Sequence, residues 1–220
     1  MPMSATAIIP EVFVAKIQPA LEAQDWDKLM STIKANWSAD QVLSLLSSDH
    51  ADARKIAALC VGLIGQSCCL PELSRQLRDS DHVVVEMAEH AMWQIWFRGG
   101  CESANDLVAR GAEALNQQKI DQAIEHLNDA IALSPDFAEA YNQRAIAYYL
   151  SERYDESIAD CQQVVEKMPL HFGAWSGLGH SQLANGNVPE AIIAYEKALA
   201  VNPHLECIAE LVEELRSGPE

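Results

Sequence analysis

Through the second half of the chain, large, small and helix-ending residues return every 34 positions. With segments begun at Ala104, Ala138 and Phe172, the fourth positions are Leu107, Tyr141 and Trp175, all large and apolar. The eighth are Gly111, Ala145 and Gly179, and the twentieth are Ala123, Ser157 and Ala191, all small. Position twenty-four holds Leu127, Cys161 and Tyr195, position twenty-seven Ala130, Val164 and Ala198, and position thirty-two Pro135, Pro169 and Pro203. This spacing predicts two helices of about 14 residues per segment, broken at Asn116-Gln117-Gln118, Ser151-Glu152-Arg153 and Asn185-Gly186-Asn187. Small residues let helix backbones approach, the large residue at position four fills the space between them, and proline ends the second helix.

After Pro203 an amphipathic stretch runs from His204 to Arg216, with Leu205, Ile208, Leu211, Val212 and Leu215 on one face and Gly218 as a stop. The last unit of a stacked array leaves an apolar face bare, and helix 204–216 is its expected cap.

The first half has a shorter period of about 31. Ala53 to Ala58, followed by Cys60, Val61 and Ile64, aligns with Val84 to Glu89, followed by Ala91, Met92 and Ile95. A short Leu-bearing helix and an Asp-rich turn (47–50 and 79–82) precede each. Upstream, Glu11 to Gln24 and Asp27 to Asn36 read as two helices, and Ser38 with Gln41 as a capping box. The helix Val83 to Phe97 is apolar on two flanks. Trp93, Trp96 and Phe97 are therefore either a core between the halves or an exposed patch for a partner or a homodimer. A short connection, 98–102, leads to Ser103 as a candidate N-cap. Its brevity favours one continuous superhelix over two mobile beads.

The 34-residue pattern resembles the tetratricopeptide repeat (TPR) in three copies, 104–137, 138–171 and 172–205, with Ala114, Gln182 and Ser157 as departures. The first half, 1–98, resembles HEAT repeats; the arginine typical after their turn is present once, as Arg54. The expected fold class is all-α: a right-handed α-α superhelix of helix pairs, a HEAT-like half followed by 104–220 with its capping helix. In TPR arrays the first helix of each pair lines a concave groove. The resemblance implies groove positions Asn105, Val108, Ala112 and Leu115; Glu139, Asn142, Ile146 and Tyr149; and Gly173, Ser176, His180 and Leu183. Such a mixed floor suits the backbone and side chains of an extended peptide. Cochaperones of this family grip a carboxylate with Lys, Asn and Arg; this chain is read as having Val108, Ala112, Gln143, Gly173 and Ser176 there, so an acidic C-terminus is disfavoured. Arg110 and Arg144 share position seven, as structural ion-pair formers or as a ligand-reading pair.

Composition sharpens the choice of partner. There are 32 acidic and 15 basic residues, net −17. Residues 104–220 hold 19 acids against 7 bases, and residues 1–103 hold 13 against 8. So negative a surface disfavours nucleic acid and anionic membranes and favours basic or amphipathic protein segments. The first ten residues lack a signal-peptide pattern, no apolar run spans a bilayer, and six scattered cysteines suit a cytoplasmic, reduced setting. Seven histidines form no metal-binding spacing, and no phosphate loop or nucleophile elbow occurs. No cofactor or catalytic residue is expected. The reading is a non-catalytic adaptor that binds a peptide or helix in the TPR groove. One alternative is a holdase like the chaperones of type III secretion translocators; another is an enzyme like HEAT-type phycobilin lyases.

Overall fold

The computed structural model describes residues 8–217, and all regular structure among them is helical. Gly218 and most of the N-terminal segment read for a leader lie outside the described residues. Two compact units meet at Ile95/Trp96.

The first unit contains α1 (Pro10–Glu22), α2 (Trp26–Asn36), α3 (Ala39–Ser44), α4 (Ala51–Ile64), α5 (Leu70–Gln76) and α6 (His82–Trp96), whose last residue falls to the second unit. Short α3 and α5 each precede a long helix, as the 31-residue period requires. Local chemistry sets the starts. The Asp25 carboxylate accepts the amide of Lys28 at 2.9 Å, and both bonds of the Ser38/Gln41 capping box are present. The two Asp-rich turns are tied from α4. Arg54 donates to Asp79 at 2.7 and 2.8 Å and to the Ser48 carbonyl at 2.9 Å, while Lys55 pairs with Asp81 at 2.9 Å. Phe13, Ile17, Leu29, Ile33, Leu46 and Leu73 are fully buried in this unit.

The second unit contains α7 (Glu102–Asn116), α8 (Ile120–Leu133), α9 (Ala138–Leu150), α10 (Tyr154–Lys167), α11 (Phe172–Ala184), α12 (Val188–Val201) and α13 (Glu206–Ser217). Each helix packs on its neighbours in chain order, and the first helices of successive pairs also touch, α7 on α9 and α9 on α11. Cys101, not Ser103, precedes the first turn of α7, with its thiol rather than a hydroxyl at the helix start.

Positions eight and twenty-four explain the close pairing. A Cβ on Gly111 would lie 2.7 Å from Leu127 and one on Gly179 2.4 Å from Tyr195. Where position twenty-four is the smaller Cys161, position eight carries Ala145. A bulky residue at position twenty-four is thus accommodated by the absence of a side chain at position eight. Position four adds a bond between repeats: Tyr141 Oη donates to the Pro135 carbonyl at 3.1 Å and Trp175 Nε1 to that of Pro169 at 2.9 Å. Ser157 is buried without loss, because its hydroxyl meets the Ala145 carbonyl and the Ser181 hydroxyl, both at 2.8 Å.

At the C-terminal end, Ile208 and Val212 of α13 are buried against Ala191 and Tyr195, with Leu205, Leu211 and Leu215 packed around them. Arg216 also pairs with Glu196. Ahead of α7 in the chain, Trp96 is 2% exposed, stacks on His171 at 3.9 Å between centroids and meets Phe172 edge-on, at the start of α11. Phe97 packs against the Val108–Leu127 cluster. Trp96 and Phe97 are therefore part of the second unit's own packing, and the exposed-patch expectation fails for Trp96.

Candidate functional site

The first helices α7, α9 and α11 present residues one turn apart, but the twelve groove positions split sharply by burial. Val108 is fully buried, and Leu115 packs beside it in the first-repeat core. Leu183 packs into the cluster under α13. Asn105 turns back, its Oδ1 accepting the Gly100 amide at 2.9 Å. Ala112 is half-buried, and the half-buried Ser176 donates to the Phe172 carbonyl at 3.0 Å. Val108, Leu115 and Leu183 are thus core residues, because a helix packed on both a partner and the next repeat hides more than half its girth.

Glu139, at 1% exposure, is also withdrawn. Its Oε1 accepts from Asn142 at 3.1 Å and Gln143 at 2.6 Å, and its Oε2 from His171 Nε2 at 2.8 Å. His171 Nδ1 accepts the Ala174 amide at 3.1 Å, which caps α11 and fixes the ring hydrogen on Nε2. A buried carboxylate with three donors is a satisfied structural network, not a contact floor. Asn142, 3% exposed and bound into it, is spent in the same way, reaching only the edge of the opening described next.

What stays open is narrower. Ile146, Tyr149 and Leu150 of α9 are exposed by 38%, 38% and 54%, a contiguous apolar face at i, i+3 and i+4. Beside Ile146 and Tyr149 a slot of about 110 Å³ enters between α9 and α11, with α10 as its floor. Ala145, Cys161, Gly173, Gly177 and His180 line it. Burial pushes the Cys161 thiol up to about 12, helped by the nearby Asp160 charge, so it lines the slot as a neutral sulfur. His180 Nδ1 shares a 2.8 Å hydrogen bond with the Tyr195 hydroxyl, and burial lowers the pKa of its ring while raising that of Tyr195. Cys161 on the floor and Gly177 on the α11 wall are lining residues that the position rule misses. Two glycines four residues apart on one helix, 173 and 177, are the signal that could have found them. By register the third-repeat arginine position of the cochaperone grip is also Gly177 rather than Ser176, and neither carries charge.

Arg144 is structural. It binds Asp160 at 2.7 and 2.8 Å and Asn128 at 2.7 Å, and it lies near the rings of Tyr141 and Tyr148. Asp160's hydrogen bonds and charge raise the pKa of Arg144 further. Among the described residues no group of three or more His, Cys, Asp or Glu side chains is placed to hold a metal ion. No helix among them is long and apolar enough to cross a membrane.

The family model described as TPR repeat matches residues 113–152, and that described as Tetratricopeptide repeat matches 138–171 and 172–205. A TPR repeat-containing protein of Rhizobium etli is 32% identical over 108 residues, 49% of this chain and 53% of its own length. The Hsp70-Hsp90 organizing protein of Triticum aestivum is 35% identical over 103 residues, 47% of this chain and 18% of that protein. The chain thus matches about half, or less, of these curated relatives. Among solved structures, the first TPR of Spaghetti (RPAP3), bound to the HSP90 peptide SRMEEVD, is similar with a TM-score of 0.52 at 22% identity, over 53% of this chain and 92% of that one. That likeness carries the fold of the repeat half.

Proposed function

We propose, on the premise that residues 113–205 are tetratricopeptide repeats, that this protein is a non-catalytic adaptor holding an extended segment of a partner protein along the first helices of its repeats. The observation that carries the reading is the exposed apolar face of Ile146, Tyr149 and Leu150 beside an open slot. A row of such side chains on a rigid scaffold is a docking surface when the partner supplies matching anchors. The relatives named as organizers of chaperones support a protein ligand. An acidic peptide such as the one bound to the Spaghetti domain is not the ligand we assign. Val108, Ala112, Gln143, Gly173 and Gly177 give a carboxylate no cation to meet, and the repeat half is itself strongly negative. Basic or amphipathic segments fit better.

The setting we assign is the cytoplasm, where the six free cysteines stay reduced. For residues 38–97 we retain the HEAT-like reading, supported by the short–long helix pairs and the Arg54–Asp79 tie between successive turns.

The test is a pair of variants, Ile146→Ala and Tyr149→Ala. Both side chains are more than a third exposed, so each alanine should cost no more than about 1–2 kcal/mol and leave the fold intact, read by thermal unfolding. Recovery of protein partners in affinity purification with mass spectrometry should fall at least tenfold for the double variant, roughly the effect of losing one anchor. Equal recovery from variant and wild type would remove the groove as the binding surface. Asn142→Ala is unsuitable as a probe, because it removes one of the three donors to the buried Glu139 carboxylate.

A further inference from the structure

The slot between α9 and α11 has a size and a chemistry of its own. At about 110 Å³ it is smaller than the roughly 150 Å³ apolar cavity that holds a benzene ring. That size suits an aliphatic side chain better than an aromatic ring. Its walls are carbon and sulfur: Ala145 and Ile146, the neutral Cys161 thiol, and the bare backbone of Gly173 and Gly177. The serines and Asn142 at its edge are already engaged, and His180 Nδ1 is shared with the Tyr195 hydroxyl. Ser157 and Ser181 bond to each other at 2.8 Å and to the carbonyls of Ala145 and Gly177 at 2.8 and 2.9 Å. Asn142 Nδ2 is held by the buried Glu139 carboxylate at 3.1 Å. A polar guest would thus lose water and find at most the His180 ring to meet, and an anionic one would find no Lys or Arg in the lining. The half of the chain that holds the slot, residues 104–220, carries 19 acids against 7 bases, and its net negative charge favours cationic flanks on whatever chain delivers the guest.

We propose that this slot is the anchor pocket for one aliphatic side chain, of leucine, isoleucine or methionine size, carried on a lysine-rich segment of a partner protein. The proposal rests on the adaptor reading and gives it a sequence rule: one branched or flexible apolar residue between basic ones. Ile146 and Tyr149 flank the entrance and cover the anchor once it is seated, excluding water from its rim.

Gly177 supplies a clean lever. A Cβ there would meet only Cys161 Sγ, at 3.5 Å, an ordinary contact. Alanine fits a helix interior better than glycine, so Gly177→Ala keeps or raises the melting temperature while filling part of the slot. The probe is a fluorescein-labelled nonapeptide of alternating lysine and serine with a central leucine, titrated by anisotropy, together with versions carrying alanine or tryptophan at the centre. The leucine peptide should bind at least about tenfold more tightly than the alanine peptide, the scale of one buried aliphatic side chain. It should also outbind the tryptophan peptide. Gly177→Ala should weaken the leucine peptide about tenfold and leave the alanine peptide unchanged. In NMR titration, the amides of Ile146, Tyr149, Gly173 and Gly177 should shift.

Equal binding of the leucine and alanine peptides overturns the anchor pocket, as does stronger binding of tryptophan or indifference to Gly177→Ala. The adaptor reading survives those results if Tyr149→Ala still weakens all three peptides. Failure of every peptide to bind also overturns the pocket, and partner recovery with the Ile146 and Tyr149 variants then decides the adaptor reading separately.

Discussion

Single charges in this chain are sorted by what the register places opposite them. Arg110 and Arg144 occupy the same repeat position, yet Arg144 meets Asp160 while the matching residue for Arg110 is His126. Arg54 is a third case: its guanidinium is 14% and the Asp79 carboxylate 9% exposed, and both bonds of the pair are short. The Arg54 hydrogen bonds hold the Asp79 carboxyl below its ordinary value of 3.8, against the opposing effect of burial. A carboxylate depressed in the folded state binds protons more readily when unfolded. Its contribution is therefore complete above pH 3.8, shrinks as the pH falls below that, and is gone once the lower folded value is passed. Asp79→Asn should cost about 1–3 kcal/mol at neutral pH, leaving a mostly buried guanidinium without its anion. It should also flatten the acid limb of stability, read as urea midpoints from about pH 5 down to pH 2. An unchanged acid limb would mean that the pair contributes nothing to folding. The sequence pointed to Arg54 and to an Asp-rich turn but not to their pairing, since 25 residues separate them and only helix packing brings them together.

Helices and their turns were the most legible level, because the information is local. Proline at position thirty-two and small residues at eight and twenty fix where pairs begin, end and touch. Each turn between paired helices closes in the same way: Lys119, Arg153 and Asn187 donate to the carbonyls of Ala114, Tyr148 and Gln182 at 2.9, 2.9 and 2.8 Å. The residue before each donor is left-handed, with φ of 59° at Gln118, 60° at Glu152 and 83° at Gly186. Only the third turn uses glycine. The left-handed region costs a residue with a Cβ roughly 1–2 kcal/mol, and glycine returns about 0.5–1 kcal/mol in unfolded-state entropy. Glu152→Gly should thus stabilise by about 0.5 kcal/mol, and Gly186→Ala should destabilise by about 1 kcal/mol. Thermal and urea unfolding would read both, and the opposite order would show that the turns are held by their neighbours instead. The burial of Glu139 was illegible for the complementary reason. Its donor His171 comes from the next repeat, 32 residues on, and Trp96, which lies on that ring, precedes the first repeat. A position rule drawn along one helix does not see either of them.

For the molecule as a whole, composition and the open part of the groove work in the same direction. The net charge of −17 comes mostly from the repeat half, yet the slot and its rim are apolar. Such a division separates the two stages of capture: a diffuse negative field raises the encounter rate with basic segments, and a small desolvated contact sets how long they stay. The screening length shortens from about 14 Å at 0.05 M salt to about 4–5 Å at 0.5 M. Over that range the association rate of the lysine–leucine peptide should fall roughly tenfold or more, while its dissociation rate changes only a few-fold. Replacing leucine by alanine should do the reverse, speeding dissociation with little effect on association. Stopped-flow measurements across both series would separate the field from the anchor. If salt acted mainly on dissociation, the lysines would be making close, desolvated ion pairs, and acids near the groove would have to be counted as part of the contact surface.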